Sequence, residues 1–79
     1  MYSTELIRKL PESPKAPILY VVYNKAMIME AEALIGTIHG HGYLANVTVI
    51  PFDQKIENPR DYQIYIDPIV YTYKNSWNN

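Results

Sequence analysis

Apolar and polar positions follow three rhythms along this chain, and each rhythm predicts a different kind of element. Residues 18–23 are apolar without interruption and rich in β-branched and aromatic side chains. Such a run predicts a strand covered on both faces, as in a parallel sheet with crossover helices. Residues 25–39 place Met27, Ala31, Leu34, Ile35 and Ile38 at helical spacing, with Glu30 and Glu32 on the wetter sides. Asn24 is suited to cap this helix, and Gly40 and Gly42 to end it. Residues 46–52 predict a second strand closed by Pro51, completing a right-handed strand–helix–strand unit. Residues 62–67 alternate with period two and predict a third strand. Pro68 interrupts, and 69–73 resume β character, which predicts an edge strand or a continuation past a bulge.

The flanks are simpler. Ser3, Glu5, Leu6, Ile7 and Leu10 predict a short capped helix that Pro11 stops. The proline-rich stretch 11–17 is expected to be a stiff, extended connector, 53–61 a polar loop with a turn at Asn58 to Asp61, and 75–79 a frayed tail. The expected fold is therefore α/β. A small three- to four-stranded, largely parallel sheet carries one main crossover helix and a short N-terminal helix. Residues 1–79 form one domain, because a second could not bury a core of its own at this length.

Composition narrows the functional classes. There is no cysteine, so disulfides and zinc–thiolate sites are excluded. A domain this small commonly needs a supplement to its core, which leaves self-association or a partner protein as the leading source. The net charge is −1 with the charges scattered, which argues against a nucleic-acid binder that works by neutralising phosphates. No apolar run approaches the ~20 residues of a membrane span, and Glu5, Arg8 and Lys9 break any secretory pattern. A cytoplasmic location is expected.

Two segments resemble a known family. Tyr23-Asn24-Lys25-Ala26, after an apolar strand and opening a helix, resembles the asparagine–lysine–alanine motif after the first crossover in helicases and related motor ATPases. The strand 62–67, ending in Asp67, is similar to the acidic Walker B strand of the same family, whose aspartate holds magnesium. The resemblance spans 18–67 and implies a reduced, RecA-like core fragment of the kind found in short phage-encoded proteins. It implies a nucleotide- or nucleic-acid-binding role for Asn24, Lys25 and Asp67. The chain departs from the family in lacking any G-x-x-x-x-G-K-[ST] loop and in carrying Pro68 where a hydrolytic enzyme has a glutamate. A relative of this kind would not hydrolyse nucleotide.

Other candidate chemistry is thin. His39 and His41 flank Gly40 and could reach a metal together with Asp53, Glu57 or Asp67. The simpler reading is a histidine favourably placed at a helix C-terminus, followed by a turn that needs glycine. No metal or other cofactor is therefore assigned. Asp61 and Asp67 read more simply as a turn residue and a strand end than as a catalytic carboxylate pair. No serine sits in a nucleophile elbow, and no nucleophile, base and stabiliser assemble into an active site. The feature that remains is aromatic: eight tyrosines, with Tyr62, Tyr65, Tyr71 and Tyr73 in the last β region. Tyrosine is enriched where one side chain must be both buried and wet. The expectation is a non-enzymatic interaction protein, a homo-oligomer or small regulator of a larger enzyme, binding through that tyrosine-rich β surface.

Overall fold

The structure is a computed structural model that describes residues 4–12 and 15–77, with side chains described as far as residue 72. Its elements in chain order are α1 (Thr4–Arg8), β1 (Ile18–Val22), α2 (Ala26–His39), β2 (Val47–Pro51), β3 (Gln63–Ile66) and α3 (Pro68–Trp77). Single 3₁₀ segments, His41–Asn46 and Pro59–Asp61, precede β2 and β3. The sheet has the order β2-β1-β3, and both pairings are parallel. The α/β architecture expected from the apolar rhythms is the one observed, with three strands.

Every residue of β1 is buried, which is why the run 18–22 carries no polar position. Ile18, Tyr20 and Val22 point to one face and pack with Val47 and Val49 of β2, with Ala31 and Ile35 of α2, and with Ile7 and Leu10. Leu19 and Val21 point to the other face and join Ile50. That second face is covered by the crossover 52–62, which contributes Phe52, Ile56 and Tyr62 and contains only one short 3₁₀ turn. The sheet is therefore helix-covered on one side and loop-covered on the other.

Local chemistry sets the boundaries of α2. Asn24 accepts the Met27 N–H on Oδ1 at 3.1 Å, satisfying one donor at the start of the helix. Gly40 ends the helix at φ +101°, ψ 155°, a conformation essentially restricted to glycine, while its N–H bonds the Gly36 carbonyl. His39 at the last position reaches back to α1, its Nε2 lying 2.6 Å from the Ile7 carbonyl. Tyr43 donates its hydroxyl to the Pro11 carbonyl, so both contacts fasten the N-terminal segment to α2 and the turn after it.

The β character expected for 69–73 is overturned: these residues lie in α3, which extends through Asn75, Ser76 and Trp77. The cause is the pair Asp67-Pro68. The Asp67 side chain accepts the Ile69 N–H at 3.1 Å, its carbonyl accepts the Val70 N–H at 2.9 Å, and Pro68 occupies the first helical position. Val70 is buried while Tyr71 and Thr72 are exposed, a pattern without period two. β-propensity is a weak preference, and here the cap overrides it. Ser3, expected to cap α1, and Asn78 and Asn79 of the expected tail lie outside the described residues.

Candidate functional site

The tyrosine surface expected from sequence does not form as a unit. Tyr71 lies on α3 and is about half exposed, and Tyr73 belongs to the same helix, its side chain outside the described ones. Tyr65 is half-buried and packs on the helix-covered face, whereas Tyr62 packs on the loop-covered face. The physical reason is parity. Tyr65 is in register with Tyr20, and in a strand odd and even positions face opposite sides.

The second predicted set is brought closer together. Asp67 follows β3 immediately and donates its N–H to the Val21 carbonyl, so it sits beside the end of β1 where Asn24 and Lys25 begin. The chain leaves β1 for β2 on one side and returns to β3 on the other, so the strand order reverses between β1 and β3. Crevices at the carboxyl ends of strands at such reversals are the usual ligand sites of open α/β sheets. Here Asp67 is 1% exposed, and each of its oxygens has a partner: Tyr20 donates its hydroxyl to Oδ2 at 2.9 Å and Ile69 its N–H to Oδ1. The carboxylate thus joins β1, β3 and the N-terminus of α3, whose dipole favours negative charge there. Asn24 and Lys25 are exposed, and Asn24 is engaged as a helix cap.

The histidines are also accounted for. The His39 ring stacks on Tyr43 with centroids 4.4 Å apart, besides its contact to Ile7. His41 lies against α2 at Gly36, where a Cβ would come within 3.4 Å of His41 Nδ1. Among the described residues no three His, Asp or Glu side chains group as metal ligands. Tyr43 has its pKa raised above the ordinary phenol value, first by burial and then by the neighbouring Tyr65.

A groove of about 330 Å³ lies between the loop-covered face and the crossover, lined by Leu19, Ile50, Ile56 and Tyr62 together with Lys55 and Glu57. It marks where a crossover helix would sit in a fully wound α/β sheet.

The feature that sequence reading missed is the hydrogen-bonding state of the two sheet edges. Gln63 and Asp67 donate their N–H groups to Pro17 and Val21, so odd residues of this strand face β1. Backbone groups alternate in direction, so the N–H and C=O of Ile64 and Ile66 face outward. Among the described residues neither has a backbone partner there, and no strand lies beyond β3. The Ile64 side chain is 40% exposed, one of three large apolar side chains so placed among the described residues. Residues 62–66 contain no charge and no proline, the usual devices that protect an edge.

The opposite edge is closed at its two ends only, because the Val49 N–H and C=O face outward without a partner among the described residues. Phe52 donates its N–H to Val22, so Val47, Val49 and Pro51 face outward on β2. The Val47 N–H is bonded to the Leu44 carbonyl, Pro51 has no N–H, and the Pro51 carbonyl accepts from Gln54. Proline at this position is the usual way to close an edge. The pattern was in principle readable, since Pro51 and the uncharged 62–66 are both visible, but only the strand order shows that each lies on an edge.

Comparisons with protein-family models, with curated proteins and with solved structures gave no match to this chain. Among the described residues no helix is long and apolar enough to cross a membrane.

Proposed function

We propose that this protein is a non-enzymatic interaction module that binds a protein partner by accepting a strand on the outer edge of β3. The observation that supports this reading is the asymmetry of the edges. The four outward backbone groups of Ile64 and Ile66 have no partner among the described residues, beside an exposed Ile64 side chain, while the β2 edge is interrupted by Pro51 and by the bonded Val47 N–H and carries only buried side chains at Val47 and Val49. In strand addition the main chain supplies affinity and alternate side chains supply specificity. The contact surface is thus the β3 edge with Ile64 and Ile66, and the tyrosines take secondary roles.

The test is native mass spectrometry on gently purified protein, with Ile64→Pro as the variant. The Ile64 N–H faces outward, so proline breaks no bond between β3 and β1 and removes one docking donor. The unmodified protein is expected to carry a second chain, its own or another, that Ile64→Pro loses while far-UV CD stays the same. Tyr71→Ser, on α3, is expected to retain it. A bare monomer in both samples, with the Ile64 and Ile66 amides exchanging freely, would overturn the reading.

A second reading, binding of a nucleotide or nucleic acid, is favoured by one observation: Asn24 and Lys25 lie at the carboxyl end of β1, at the strand-order reversal. Lys25→Ala would then weaken binding, with a steep salt dependence if phosphate is the ligand. The carboxylate available for magnesium in the motor-ATPase arrangement is here engaged by Tyr20 and Ile69, so the first reading is preferred.

A further inference from the structure

We infer that the strand accepted by β3 is β3 of a second copy of this chain, paired antiparallel about a two-fold axis that passes through Tyr65. The inference rests on the reading of β3 as a docking edge and goes further by naming the occupant and the register.

The register follows from counting outward groups. A two-fold axis perpendicular to an edge strand pairs that strand with itself antiparallel, so one patch serves both copies. Outward residues must then face outward residues, because these are the ones that exchange both hydrogen bonds of a close pair. Three such registers are available. Pairing Ile64 with Ile64 of the other copy sets Ile66 opposite Tyr62, whose N–H is already bonded to the Pro59 carbonyl. Pairing Ile66 with Ile66 sets Ile64 opposite Pro68, which has no N–H. Pairing Ile64 with Ile66 satisfies every outward N–H and C=O of both residues in both copies. Only this register leaves no group over.

The side chains agree with it. Ile64 and Ile66 lie on the loop-covered face, so each Ile64 gains an Ile66 neighbour across the junction and its exposed surface is covered. Tyr65 of one copy stands opposite Tyr65 of the other on the helix-covered face, as a closely spaced pair without hydrogen bonds. Residues 62–66 carry no charge, so the two copies meet without like-charge repulsion. The three-stranded sheets join into one of six strands, with the β2 edges at its two ends. A junction of two short strands covers less than the ~1,200 Å² of stable specific interfaces, so association should depend strongly on concentration.

Single-cysteine variants test the register without background, because the chain has no cysteine of its own. Opposed Tyr65 positions would have Cα atoms ~4.5 Å apart, within disulfide range. Two Ile64 positions would be offset by two residues and lie roughly 8 Å apart, beyond it. Under mild oxidation Tyr65→Cys is expected to give a covalent dimer and Ile64→Cys a monomer; the reverse result would overturn the inference.

Tyr65 packs against the core, so a second measurement uses the unmodified protein. Sedimentation equilibrium up to ~1 mM chain should show the mass doubling, while the Ile64 and Ile66 amides become protected from exchange. A monomer over the whole range overturns the self-pairing. If those amides are nonetheless protected by a different co-purified protein, strand acceptance stands and only the identity of the occupant fails. If they exchange freely in every sample, both fail.

Discussion

The Tyr20 hydroxyl donates to Asp67 Oδ2 at 2.9 Å, a contact between residues 47 positions apart in which both side chains are buried. The second oxygen of the same carboxylate accepts the Ile69 N–H. One side chain thereby holds the central strand, the end of β3 and the start of α3 together. A residue that resembles a magnesium-binding aspartate in sequence is, in the folded protein, the junction of three elements.

Asp67→Ala removes a helix cap, about 0.5–2 kcal/mol, and leaves the buried Tyr20 hydroxyl without an acceptor, a further ~1–3 kcal/mol. A loss of about 1.5–5 kcal/mol is expected in urea denaturation. Tyr20→Phe should cost ~1–3 kcal/mol, because it leaves one carboxylate oxygen unsatisfied. The double variant should cost less than the sum of the two. Strict additivity would show that the contact does not contribute to stability.

Gly40 and Gly42 should respond differently to alanine. Gly40 has φ +101°, while Gly42 has no such restriction and nothing within 4 Å of the place its Cβ would take. Gly40→Ala is expected to cost ~1–3 kcal/mol, and Gly42→Ala less than about 0.5 kcal/mol. Thermal melts of the two variants make the comparison. Equal midpoints would count against the strained C-cap.

The raised pKa of Tyr43 makes stability depend on alkaline pH. The folded state holds the phenol proton more tightly than the unfolded chain does, because burial and the nearby Tyr65 disfavour the anion. The contribution is complete below the ordinary phenol value of about 10 and is lost as pH rises through the higher folded value. Denaturation midpoints should therefore fall above about pH 10 and fall less in Tyr43→Phe. An ultraviolet titration should show one fewer late-ionising tyrosine in the variant than in the native protein.

His39 and Tyr43 both reach back to the N-terminal segment, at the Ile7 and Pro11 carbonyls. His39→Ala removes the hydrogen bond and the stack on Tyr43, and about 1–2 kcal/mol of stability should go with them. The loosened part should be α1, so limited proteolysis is expected to cut the variant first within residues 4–16. Cleavage elsewhere at the same rate as in the parent protein would show that α1 is held by its apolar contacts alone.

Much of the fold was legible because it rests on local rhythm. The uninterrupted apolar run 18–22, rich in β-branched residues, predicts a strand buried on both faces, and the apolar stripe of 26–39 predicts a helix packed on a sheet; both are observed. Asn24 as cap and Gly40 as terminator follow from backbone chemistry that needs no tertiary context. The segment 69–73 is not legible in this way. Its β-branched and aromatic residues compete with a cap, and the outcome depends on Asp67 being held beside Tyr20 and Val21.

Sequence by itself thus determined the element types wherever periodicity and capping agree, together with the lack of cysteine chemistry and of any charge along 62–66. Tertiary structure decided which strands stand at the edges, which face each tyrosine serves, and that Asp67 joins three elements. These properties depend on pairings between residues far apart in the chain, and strand order is a collective choice that no single segment encodes. The outward groups of Ile64 and Ile66 lie on an open sheet edge only because β1 takes the centre and β3 has no neighbour on its far side among the described residues.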